Sequence, residues 1–144
     1  MNRIVSPEDM ASVKDGYETT SLPTDKRLLS FKERKSFESR KKDVLTIRKK
    51  HPNKIPIVVE RSTNEKNLPE LDKSKFLVPE ELSMSQLVNI IRMRLQLRES
   101  QAFYLIIGKK TMVSNSLTLG EIYHSEKDTD GFIYMTYASQ EVFG

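Results

Sequence analysis

The stretch Ser83-Met-Ser-Gln-Leu-Val-Asn-Ile-Ile-Arg-Met-Arg-Leu-Gln-Leu97 constrains the fold most. Its spacing predicts one amphipathic helix. Ser83 is placed to cap it, and Gln86 three residues on completes a capping box. Met84, Leu87, Val88, Ile91 and Leu95 recur at helical spacing and form an apolar face. Ile90 and Arg94 fall beside that face, so the stripe is wider than a single contact requires. We assign Val88, Ile91 and Leu95 to the core and keep Leu87, Ile90 and Arg94 as candidates for the surface. A helix of this kind needs a sheet or other helices to cover it.

The flanking sequence supplies the sheet. Ile55-Pro-Ile-Val-Val-Glu-Arg61 is short and β-branched, with Pro56 near its start because it has no N–H to give a ladder. Alternation sets Ile55, Ile57 and Val59 on one face and Pro56 and Val58 on the other. Lys75-Phe-Leu-Val-Pro79 is a second strand, with Lys75 and Leu77 facing one way and Phe76 and Val78 the other. A strand this short, with a Lys and a terminal Pro, reads as a sheet edge able to accept a partner's strand. The polar residues 62–73 between the two strands read as a loop.

Beyond the helix, Ala102 to Gly108 is a continuous apolar run expected to form a buried central strand. Lys109-Lys110 turns, and Thr111 to Val113 returns briefly. Leu117 to His124 reads as a short helix capped by Ser116 or Thr118, and Glu126 to Gly131 as a turn. Phe132 to Tyr137 closes the set as a strand, with Phe132, Tyr134 and Thr136 on one face and Ile133, Met135 and Tyr137 on the other. Two helices precede the sheet. The first is expected from Lys26 to about Lys35, capped by Thr24 or Asp25; the second runs from Phe37, capped by Ser36, to Lys50, and Pro52 stops it. The fold class is therefore α+β, one sheet wrapped on one helix. Residues 1–24 read as a flexible extension, 25–138 as the domain, with its added helices in 25–52, and 139–144 as a mobile tail.

Charge is distributed unevenly. The formal net charge is +4, yet residues 25–54 hold 12 basic and 4 acidic side chains. That block suits an anionic surface or an acidic partner. Aromatics are not interleaved with it as in a single-strand nucleic-acid binder, and no nucleic-acid partner is expected. The chain has no Cys and no apolar run of membrane-spanning length, and its first residues lack a signal peptide's apolar stretch; a cytoplasmic protein is expected. His51 and His124 have no carboxylate or thiol at ligand spacing, so no metal is expected. Phosphate loops, dinucleotide fingerprints and nucleophile elbows are missing, and no residue presents itself as catalytic. The chain is read as a non-enzyme.

Several motifs in order carry a resemblance: Phe31-Lys-Glu-Arg34, His51-Pro-Asn-Lys-Ile-Pro56, Asp72 to Pro79, Gln101-Ala-Phe-Tyr104, Glu126 to Ala138, and Gln140-Glu-Val-Phe-Gly144. From about residue 27 to its end the chain resembles the ubiquitin-like autophagy modifiers, the microtubule-associated-protein light chain / GABARAP group, and is nearer the light-chain branch. The resemblance implies a ubiquitin-like β-grasp fold with two added N-terminal helices. It implies trimming by a cysteine protease after a glycine, here Gly144, and passage along activating and conjugating enzymes. The product is an amide with phosphatidylethanolamine on autophagosome membranes; no other cofactor is implied.

The resemblance also implies binding of cargo-receptor peptides with an aromatic-x-x-aliphatic motif. The aromatic side chain would enter a pocket of Asp43, Ile47, Pro56, Val58, Lys75, Leu77 and Phe132. The aliphatic one would enter a pocket of Phe76, Val78, Pro79, Leu87, Ile90 and Arg94. Arg34, Lys35, Lys54 and Lys73, with Arg94, would meet flanking acidic residues. An alternative reading is a non-covalent binder of microtubules or anionic surfaces through the basic helices.

Overall fold

Capping decides where the helices begin. The computed structural model describes residues 29–108, 110–111 and 116–139. The elements in order are α1 (Phe31–Arg34), α2 (Phe37–Lys50), β1 (Lys54–Arg61), β2 (Lys75–Pro79), α3 (Met84–Leu95), β3 (Tyr104–Ile107), β4 (Lys110–Thr111), α4 (Leu119–Glu126) and β5 (Ile133–Ala138). Ser83 and Gln86 form the expected capping box on α3, and Ser36 caps α2 at the expected residue. The first helix differs from expectation. Ser30 is extended, its hydroxyl accepts from the Glu33 N–H and Glu33 accepts from the Ser30 N–H, so α1 starts at Phe31. Thr118 and Glu121 cap α4 in the same way, which moves its start to Leu119.

The sheet runs β2-β1-β5-β3-β4. β1 is antiparallel to β2 and parallel to β5, while β3 is antiparallel to both β5 and β4. β2 lies at the edge, as its sequence suggested. The central strand is β5, not β3. The apolar run at Tyr104–Ile107 alternates between half-buried and buried residues, because its outer face is not covered as its inner face is. Pro56 is accommodated because of its phase. The Val59 N–H donates to the Ser74 carbonyl on the β2 side, so Pro56 faces β5, whose ladder begins only at Ile57.

Two clusters lie on opposite faces of the sheet. The larger packs Ile55, Ile57, Phe76, Val78, Ile133, Met135 and Tyr137 against Met84, Leu87, Ile91 and Leu95 of α3 and Leu119, Ile122 and Tyr123 of α4. The spacing 84-87-91-95 is the buried stripe. Leu87, expected at the surface, is therefore 1% exposed, and Val88, expected in the core, is only partly buried. The smaller cluster joins Phe31, Val44, Ile47, Val58, Leu77 and Phe132, with Tyr134 against it. The loop after β1 contributes more than its polar sequence indicated: Leu68 and Glu65 are both buried. Expectations for residues 1–24, the start of the first helix, Met112–Val113, and Gln140 to Gly144 lie outside the described residues.

Candidate functional site

The alternation of β2 separates its side chains between the two clusters. Leu77 joins the smaller one; Phe76 and Val78 join the larger. Register then fixes the backbone. Val59 points its N–H toward β2, so Ile57 and Ile55, at the same parity, do too, and they pair with Phe76 and Val78. The N–H and C=O groups of Lys75 and Leu77 therefore point away from β1, along the outer edge of the sheet. An extended chain added there would alternate its side chains between the two faces.

The residues assigned to the aromatic pocket come together on the α1–α2 face. Register sets Pro56 opposite Leu77 and Val58 opposite Lys75. Ile47 comes from α2 because Phe37, Val44 and Ile47 share one side of that helix, and Phe132 precedes β5. Ile47, Val58, Leu77 and Phe132 are each fully buried. Asp43 lies one turn before Ile47. Its carboxylate pairs with the Lys35 ammonium and lies 3.6 Å from Lys75 Nζ. Two cations thus flank one anion at this end of the edge. Lys35 departs from the expected role of an exposed acid contact: its side chain is 1% exposed and paired with Asp43.

The residues assigned to the aliphatic pocket lie on the α3 face. Phe76, Val78 and Leu87 are buried in the larger cluster, Ile90 packs against it, and Pro79 is half-buried at the end of β2. The Arg94 guanidinium sits 5.3 Å from the Phe76 ring centroid and 3.3 Å from Asp72. Its Nε is buried without a hydrogen-bond partner among the described residues. Arg34 Nη2 donates to Ser74 Oγ at 3.4 Å, Lys73 is exposed and Lys54 half-buried.

Residues outside the assigned sets build the support. The Phe31 ring meets Phe132 edge-on at 5.2 Å, and the Phe31 N–H donates to Glu60 at 2.7 Å. Burial pushes the Glu60 carboxyl above its ordinary range despite that bond. The signal for Phe31 was present in Ser30-x-x-Glu33, which places an aromatic at the first helical position. Behind Phe132, Asp130 is 1% exposed and accepts from Arg40 Nη1 at 2.6 Å and from the Tyr134 hydroxyl at 2.5 Å. Arg40, one of the basic side chains of residues 25–54, is thus turned inward. Burial and the bond to Asp130 push the Tyr134 hydroxyl far above its ordinary value. Gly131, at φ +98, lets this turn press on α2: a Cβ there would lie 2.6 Å from Val44 Cγ1. Gly144 lies outside the described residues.

Among the described residues no helix is long and apolar enough to cross a membrane, and no group of three or more His, Cys, Asp or Glu could hold a metal ion.

Comparisons with known proteins agree with this architecture. The family model described as "Autophagy protein Atg8 ubiquitin like" matches residues 39–144. The chain is 59% identical over 114 residues to human microtubule-associated protein 1 light chain 3 gamma, covering 79% of this chain and 78% of that one. It is 50% identical over 115 residues to protein lgg-2 of Caenorhabditis elegans, covering 80% and 88%. A crystal structure of Trypanosoma brucei ATG8 superposes with TM-score 0.72 at 36% identity, covering 78% of this chain and 95% of that one. The mixed sheet grasping α3, with helices added before it, is the ubiquitin-like fold, and the chain belongs to the Atg8 family of ubiquitin-like autophagy proteins.

Proposed function

We propose that the protein is a modifier that joins autophagosome membranes to cargo receptors. Gly144 would be exposed by a cysteine protease, activated, and transferred to phosphatidylethanolamine, so that a cytoplasmic protein becomes membrane-bound and takes part in autophagosome formation and tethering. The edge of β2 would hold an extended aromatic-x-x-aliphatic peptide. One observation carries the peptide reading: Leu77 on one face and Phe76 and Val78 on the other lead to two separate apolar clusters on either side of one outward-facing backbone. Asp43, Ile47, Pro56, Val58, Lys75, Leu77 and Phe132 would receive the aromatic side chain. Phe76, Val78, Pro79, Leu87, Ile90 and Arg94 would receive the aliphatic one, and Arg94 Nε is a buried donor without a partner among the described residues. Arg34, Lys54 and Lys73 suit flanking acidic residues.

The conjugation reading rests on family membership and on the motif Gln140-Glu-Val-Phe-Gly144. Its test is the intact mass of the C-terminal peptide from membranes of cells making the protein. A phospholipid amide on Gly144 is expected; a free carboxylate on all membrane-bound protein, in cells where conjugation is running, would contradict it.

A second reading has its own observation. Lys41, Lys42, Lys49 and Lys50 are exposed on α2 around Leu45, which is 63% exposed. This face suits microtubules or an anionic membrane surface. Such binding would survive loss of Gly144, weaken with salt, and disappear on charge reversal of the four lysines. Salt-insensitive binding would rule it out.

A further inference from the structure

Glu65 lies in the loop between β1 and β2, yet it is 3% exposed. Its Oε2 accepts the N–H groups of Asn67 and Leu68, both at 2.8 Å. Its Oε1 accepts the N–H of Ser139 at 2.6 Å, across 74 positions of sequence. No Lys or Arg among the described residues forms an ion pair with it. Burial works against the charge, but the backbone bonds outweigh it and hold the carboxyl below its ordinary range.

The same loop grips the neighbouring residue of the strand. Ser62 N–H donates to the Tyr137 carbonyl at 2.9 Å, the Tyr137 hydroxyl donates to the Pro69 carbonyl at 2.7 Å, and Leu71 N–H donates to that hydroxyl at 3.0 Å. Asn67 and Leu68 alone would close the loop. The bond to Ser139 adds something else, because β5 ends at Ala138 and Ser139 is the first residue beyond it. Gly144 follows Ser139 by five residues, a reach of about 17 Å when extended. A glutamine would offer one oxygen to three donors and turn an NH2 toward at least one N–H.

We propose that Glu65 is a positioning residue for the reactions at the C-terminus: by holding the Ser139 N–H it fixes where residues 140–144 leave the folded body. This rests on the reading of Gly144 as the conjugated residue. A reacting carboxylate gains from a fixed origin, since a larger share of bound chains then holds it in the reacting geometry.

The test uses the full chain with activating and conjugating enzymes of this family and vesicles containing phosphatidylethanolamine. Glu65→Gln weakens the whole clamp. Ser139→Pro removes the N–H and the hydroxyl beyond β5 and leaves the bonds from Asn67 and Leu68. Both variants are expected to lower kcat for amide formation by about tenfold, with KM for the chain and peptide binding at β2 unchanged. Wild-type rates in both variants would overturn the proposal. So would slowing in Glu65→Gln alone, which would place the role in the loop. Equal loss of kcat and of peptide binding in both would mark a role in folding and overturn it too. No lipid amide on the wild-type chain would instead overturn the conjugation reading on which the proposal rests.

Discussion

The two faces of the sheet are held by different physics. On the α3–α4 face, contact is almost wholly apolar and continuous from Ile55 to Tyr137. On the α1–α2 face, six buried apolar residues are bounded by charge, with Lys35, Asp43 and Lys75 on one side and Arg40, Asp130 and Tyr134 on the other. Dispersion and the hydrophobic effect tolerate small displacements, whereas charge-assisted hydrogen bonds need fixed geometry. The first face supplies the larger share of the buried apolar contact. The second sets how two helices sit over β1, β2 and Phe132, where the aromatic pocket is proposed.

Removing a buried ionic partner should separate the two faces most sharply. Asp130→Ala would leave Arg40 and the Tyr134 hydroxyl without their acceptor, at a cost of roughly 3–5 kcal/mol. Hydrogen exchange should rise first at amides of α2, with those of α3 following only on global unfolding; equal loss in both helices would show that the faces are not separable. Leu87→Ala should cost about 3 kcal/mol by leaving a cavity in the larger cluster. Here denaturant unfolding should remain one transition, with α2 and α3 affected together.

Acid should sharpen the contrast through two glutamates of opposite behaviour. Glu65 is held below its ordinary value of 4.5, so its contribution is present above that pH and is lost as pH falls through the lowered folded value. Glu60 is raised above 4.5, so its contribution is present below that pH and is lost as pH rises through the raised folded value. Stability measured from pH 7 to 3 should therefore lose part of its slope below 4.5 in Glu65→Gln, and above 4.5 in Glu60→Gln. The smallest effect belongs to Lys32→Ala. Its ion pair with Asp128 is exposed, and removing it should change stability by less than about 1 kcal/mol even with the loss of the contact to Tyr134.

Much of this was legible in the residues themselves. Caps at Ser36 and Ser83 are local, and alternation in β1, β2 and β5 depends only on burial of one face against another, so all of these were readable from sequence. What escaped depended on distant partners. Arg40 looked like its lysine neighbours until Asp130, 90 positions away, turned it inward. Glu65 and Leu68 sat in a polar stretch whose burial depends on Ser139 and Tyr137. β3 read as central because Tyr104 and Ile106 are apolar on a face that is only half covered. Of the candidate site, the β2 edge and its two-sided alternation came from the strand pattern, whereas the contributions of α2, α3 and Phe132 required the resemblance.

The most direct measurement is residue-resolved amide exchange of the full chain with and without an acidic peptide carrying one aromatic-x-x-aliphatic motif. Strand addition at β2 predicts that the Leu77 N–H becomes protected on binding, while Phe76 and Val78, already directed at β1, change little. Saturating peptide with Leu77 exchange unaltered, or protection confined to the exposed face of α2, would contradict the account.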